Sequence, residues 1–192
     1  MSRFLLVLFV CLLLTPKVGA QKVDISLGAA PAGFTWQALP GSKAAMPLPE
    51  GWYYRAEGPK GAPTYYLTQE AIGESGEFQT GLSLQVVRKV AAKTKRRAPE
   101  YAEFLMLRTG FGPGQRQLEK AATVDGQLHK RMVRYRDAPP DAEPRIVYQL
   151  ALANAKTDTL YLLTFESPEQ EWAEAWKLCQ VMVKELVLDS RQ

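Results

Sequence analysis

The sequence predicts an α+β domain built on a largely antiparallel sheet flanked by helices. Three observations carry this. About seven segments are of strand length, either alternating in polarity or apolar throughout, and turn residues separate them. The last two of these are apolar on both faces, so they need cover on both sides of a sheet. The chain then closes on Trp172, Trp176, Cys179, Val183 and Leu186, an apolar stripe of helical period on a predicted helix of about 19 residues.

The elements follow in order. Phe34 to Leu39 alternates and reads as a strand, closed by the turn Pro40-Gly41-Ser42. Ala45-Met46-Pro47-Leu48 reads as an edge strand, because proline cannot donate to a central ladder. Trp52–Arg55 and Thr64–Thr68 are aromatic strands on either side of a Gly58-Pro59-Lys60-Gly61 turn. Leu82, Leu84 and Val86 share one side of a strand. Pro99 opens a helix through Tyr101, Phe104, Leu105 and Leu107 that closes at Gly110. Gly110-Phe111-Gly112-Pro113-Gly114 follows this helix and does not precede one, so it reads as a turn and not a phosphate cradle.

Val124-Asp125-Gly126-Gln127 predicts a hairpin, with Asp-Gly at the two central positions that take φ > 0. Ile146, Tyr148, Leu150 and Leu152 share one strand face, with Val147 and Ala151 behind them. Leu160 and Leu162 are backed by Tyr161, Leu163 and Phe165. For the final helix, Ser167 can cap, Pro168 suits the first helical position, and Gln170 completes a capping box.

The first twenty residues have a different composition. Arg3 precedes an unbroken apolar run from Phe4 to Leu14, then Thr15-Pro16, then small residues at Val18-Gly19-Ala20. This is the order of a secretory signal, with cleavage expected between Ala20 and Gln21 and a periplasmic or secreted location. Eleven apolar residues are too few for a membrane anchor, which takes about 20. Cys11 lies inside the apolar run, with Val10 before it where a lipoprotein signal has a small residue, and it reads as one more apolar side chain. Residues 21–33 read as a flexible lead-in and 34–189 as one domain, with no transmembrane segment after cleavage. Cys179 is the one cysteine left, so packing alone holds the mature fold. Cleavage removes Arg3 and Lys17 and no acid, so the net charge falls from +4 to +2.

The charge is unevenly spread. Residues 88–136 carry 13 Lys and Arg against 4 Asp and Glu, whereas residues 137–192 carry 5 against 10. The two regions could neutralise each other, or the basic one could face an anionic partner. The densest stretch runs from Arg88 and Lys89 through Lys93 to Lys95, Arg96 and Arg97, six cations in ten residues. It reads either as a solvated connection between strand and helix or as a contact for an anionic protein or lipid surface. Export argues against nucleic acid as that partner.

The expected chemistry is non-enzymatic and cofactor-free. His129 is the single histidine, and it stands among Lys130 and Arg131, a poor setting for a triad or a metal. Cys179 falls on the apolar stripe, where burial keeps a thiol neutral. Glu169, Glu171 and Glu174 suit the start of a helix. The sequence lacks a nucleophile elbow, a P-loop and a dinucleotide fingerprint.

Met46-Pro47-Leu48-Pro49-Glu50-Gly51-Trp52 resembles the apolar-x-apolar-Pro-x-Gly-Trp opening of PsbP-like and DcrB-like proteins. Leu160 to Pro168, followed by a Trp-bearing helix, is similar to the final strand and helix of that superfamily. The resemblance spans roughly residues 34–189. It implies an α/β/α sandwich and exported, non-enzymatic proteins that bind other proteins or apolar ligands. Pro49, Gly51 and Trp52 carry over as structural positions. The lipobox common in bacterial relatives is missing here. The reading that follows is an accessory or interaction protein of the cell envelope, with a carrier of a lipid or other amphiphile, held between sheet and helix, as the alternative.

Overall fold

Among the described residues, seven strands join in one antiparallel sheet, and two more form a small sheet of their own. A computed structural model describes residues 27–42, 44–59, 62–73, 77–108 and 111–188. The signal sequence and its cleavage point lie outside the described residues. So does Gly110, the expected stop of the central helix.

The small sheet pairs β1 (Phe34–Leu39) with β2 (Ala44–Pro49). The main sheet contains β3 (Tyr53–Glu57), β4 (Thr64–Thr68), β5 (Gly81–Arg88), β6 (Gln115–Asp125), β7 (Leu128–Asp137), β8 (Arg145–Asn154) and β9 (Thr159–Pro168), in the order β3-β4-β5-β9-β8-β7-β6. The helices are α1 (Val90–Thr94), α2 (Ala98–Arg108) and α3 (Trp172–Lys184). Every strand pair is antiparallel, and the sheet does not close into a barrel.

The alternation read from the sequence sets the two faces. Leu82, Leu84, Val86, Leu150, Tyr161, Leu163 and Phe165 point to one face, where Leu39 and Met46 of the small sheet and Cys179 and Met182 of α3 cover them. Ala151, Ala153, Leu160 and Val133 point to the other, under Ala98, Ala102 and Met106 of α2. β8 and β9 are thus covered on both sides, as their two apolar faces require. Phe165 is fully buried, and its ring centroid lies 5.5 Å from Trp172 and 6.1 Å from Trp176.

The final helix departs from expectation at both ends. Ser167 and Pro168 do not start it. They finish β9, opposite Ile146 and Arg145. The Ser167 hydroxyl is fully buried and accepts a hydrogen bond from Thr80 Oγ1 at 3.2 Å. Gln170 donates to Glu143 Oε1 at 2.6 Å and completes no capping box, and the residue before the helix, Glu171, makes no side-chain cap. Ten residues of ladder with β8 outweigh a single cap, and proline is tolerated at the last strand position. At the other end, the helix stops after 13 residues because Val187 turns to pair with Ala45, N–H to O, at 2.9 Å in both directions.

One smaller reading also changes. The hairpin after β6 turns on Gly126 and Gln127, not on Asp125 and Gly126, and only Gly126 of the pair has positive φ, at 56°. In the lead-in, Trp36 Nε1 donates to Gly28 O at 2.9 Å, which ties that stretch to β1.

Candidate functional site

The antiparallel register sorts the loops to the two ends of the sheet. Arg88 pairs with Thr159, Asn154 with Thr159, and Leu128 with both Asn154 and Asp125. One end therefore carries the β5–α2 connection, the β8–β9 turn and the β6–β7 turn. The opposite end carries Glu50, Glu70, Glu77, Asp141, Glu143, Glu169 and Glu171, with Asp137 and Glu166 on the last strand residues. At ten residues, β9 separates the ends by about 30 Å.

The six cations of the basic run all fall at the first end. The run contains the short helix α1, which its spacing did not predict. Lys89 and Lys95 bracket it in left-handed conformation, at φ 52° and 62°. What holds α1 there is Asp158, in the turn after β8. Its Oδ2 accepts from Ala91 N at 2.7 Å, its Oδ1 accepts from Ala98 N at 2.8 Å, and its carbonyl accepts from Val90 N at 3.0 Å. One carboxylate thus satisfies otherwise orphaned N–H groups in the first turns of α1 and α2 together. Asn154 shapes the same turn by accepting from Lys156 N and Thr157 N at 2.9 and 3.1 Å.

Three of the arginines add further ties. Arg97 donates to Ala155 O at 2.7 Å, and Arg88 to Gly41 O at 2.9 Å in the β1–β2 turn. Arg96 lies with its guanidinium 4.4 Å from the Phe104 ring centre, a cation–π contact. Lys89, Lys93, Lys95, Arg96 and Arg97 are exposed, and Arg88 is half-buried. Lys156, exposed in the β8–β9 turn next to Ala155, joins them.

Glu169, Glu171 and Glu174 lie at the far end. Glu169 takes both oxygens to Arg136 Nε at 2.9 Å, and this guanidinium holds the carboxyl below its ordinary range. Glu174 pairs with Lys177, and Glu166 with Arg145 at 2.6 Å. Burial pushes the Glu166 carboxyl up and outweighs the pull of Arg145. The sheet thus divides the cations of residues 88–136. Arg134 and Arg136 pair with Glu119 and Glu169, while the basic run stands at the other end.

The remaining candidates take structural positions. Cys179 is fully buried on the face of α3 that packs on the sheet, and burial drives its thiol well above the ordinary value. His129 is half-buried on β7 opposite Ala153 and Val124. Among the described residues no three His, Cys, Asp or Glu side chains converge as a metal site. Gly112 accepts from Gln115 N at 3.0 Å, and Gly114 sits at φ 83° against the Ala138 carbonyl, as turn residues do. No helix among the described residues is long and apolar enough to cross a membrane.

No family model and no curated protein matches the chain. Solved structures do. The yeast Saccharomyces cerevisiae Ran-binding protein Mog1p superposes with a TM-score of 0.52 at 16% identity, over 81% of this chain and 95% of that one. The cyanobacterial PsbP (CyanoP) of Synechocystis sp. PCC 6803 matches with 0.52 at 14%, over 84% and 95%. LpqN of Mycobacterium tuberculosis, involved in cell envelope biogenesis, matches with 0.51 at 12%, over 81% and 90%. The chain shares the fold of these structures, the PsbP structure among them, as the likeness of Met46–Trp52 and Leu160–Pro168 to PsbP-like proteins implied.

Proposed function

We propose that this chain is an exported, non-enzymatic accessory protein of the cell envelope that docks on an anionic partner through the basic end of its sheet. The observation that carries the reading is the Asp158 clamp. A solvated connection has no need of a carboxylate that fixes α1 and α2 together, whereas a docking surface gains from cations whose backbone is ordered before binding. The secretion signal read from residues 1–20 and the likeness in fold to an envelope protein support the location. The carrier reading is less well supported, because Phe165, Leu163, Cys179 and Met182 fill the space between sheet and α3 with no exposed surface.

The test uses the mature chain and an isolated envelope fraction from its source. Binding should weaken steadily with salt, since exposed charges are screened over about 10 Å at 0.1 M. Replacing Lys89, Lys95 and Lys156 together by Gln should lower binding by at least tenfold and shift the melting temperature by no more than a degree or two, given the small stability contribution of exposed charges, about 0–1 kcal/mol per pair. Equal binding by the variant would make the run a solvated connection.

A further inference from the structure

Resting on that reading, we infer that the anionic partner is a lipid surface, and that the domain stands on it with its basic end down and its acidic end away.

The cations project from a rim and do not converge on a pocket. Strands β5, β9, β8, β7 and β6 reach this end side by side. At about 4.8 Å per strand they spread Lys89–Arg97, Lys156 and the β6–β7 tip over roughly 20 Å. A cleft at this end, 410 Å³ in volume, is lined by Pro40, Gly41, Pro59, Pro63 and Tyr65 with the acid Glu57; among the described residues no cation lines it, and Arg88 reaches its edge only through the Gly41 carbonyl. That arrangement is a poor cradle for one small anion and a good match for many head groups in a plane.

The residue types also favour lipid over an acidic protein. Protein interfaces deplete lysine and are anchored by central aromatic residues. This rim is rich in lysine, and the ring beside it, Phe104, lies beneath Arg96 and stacks on Tyr101. Val124 supplies a small apolar tip, 59% exposed, on the β6–β7 hairpin. The Gln127 carbonyl accepts from Ala155 N at 2.8 Å, so this tip adjoins the turn that carries Lys156. Asp125 is exposed at the same tip, and Lys156 in the adjoining turn offsets its charge; an exposed apolar side chain in this setting suits the boundary between head groups and acyl chains. Asp141, Glu143 and Glu171, about 30 Å away, would be repelled by the same surface, whereas the acids at the basic end, Glu57 and Asp125 among them, are outnumbered by its cations, and this fixes the orientation.

The experiment is flotation of the mature protein with protein-free vesicles, one set of phosphatidylcholine alone and one with a third phosphatidylglycerol. Binding is expected to the anionic set only. It should be lost by 0.5 M salt and reduced on the order of 100-fold when Lys89, Lys95 and Lys156 become Gln, at about fivefold per lysine near the surface. A fluorophore at Val124→Cys should be quenched by lipid-borne quencher, and one at Glu143→Cys should not. Binding to the envelope fraction without binding to anionic vesicles would overturn the lipid inference and leave the docking surface standing, with an acidic protein as the partner. Quenching at position 143 in place of 124 would overturn the orientation. Inorganic phosphate that competes at millimolar concentration would show a single-anion site instead of a surface.

Discussion

Replacing Asp158 by Ala should cost about 3 kcal/mol and release the basic segment. Two backbone N–H groups, from Ala91 and Ala98, lose a charged acceptor at once. Loss of a cap costs about 0.5–2 kcal/mol, and bonds to charged groups lie at the upper part of the hydrogen-bond range. Asp158 also sits at φ 52°, which Asp and Asn tolerate and Ala does not, adding about 1 kcal/mol. In a domain of this size that total should lower the melting temperature by roughly 10 °C. Hydrogen exchange should quicken across residues 89–98 more than in the sheet. Asp158→Asn keeps the backbone preference but offers one acceptor oxygen, so it should show about half the loss. Full protection of residues 89–98 in the Ala variant would mean that Arg88 and Arg97 hold the segment without the clamp.

Phe165→Ala should bring the larger loss of global stability, about 3–5 kcal/mol, as truncation of a buried phenylalanine does. The ring is fully buried at the centre of β9, between the sheet and α3, and it supports Trp172 and Trp176, themselves stacked at 5.1 Å. Against a total of about 5–15 kcal/mol the variant would be marginal. Urea unfolding followed by tryptophan fluorescence checks this, with Phe165→Leu expected to lose less than about 1.5 kcal/mol because volume is nearly kept. Equal losses from the two substitutions would show that ring contacts, not filled volume, hold α3 to the sheet.

The sequence made legible what short-range periodicity can encode. The Leu82-Leu84-Val86 face, the doubly apolar β8 and β9, and the stripe on α3 are each visible as spacing; the strands form as read, and the stripe does so from Trp172 to Val183. The failures share another origin. Ser167-Pro168-Glu169-Gln170 is a sound local helix start, yet β8 claims Ser167 and Pro168 for a ten-residue ladder that no local window contains. Leu186 continues the helical spacing, yet the chain leaves the helix to bridge Ala45.

The candidate site divides along the same line. The six cations are contiguous, so composition alone marks them. Asp158 comes from another turn, 60 and 67 residues from the two groups it joins, and Lys156 stands in that same turn. Asn154 to Asp158 shows turn residues and nothing that names its partner. The separation of acid from base was visible only as an imbalance along the chain. Its meaning in space depends on the alternation of antiparallel strands, which sends the basic run to one end and Glu169, Glu171 and Glu174 to the other.

If the basic end, held by Asp158, is the surface that meets the partner, hydrogen exchange of the mature protein should change there when its isolated envelope fraction is added. Added protection is expected at residues 89–98 and 155–158, reversed by salt, and none at residues 138–144. Protection confined to residues 138–144 and the start of α3, with residues 89–98 unchanged, would put the docking surface at the opposite end.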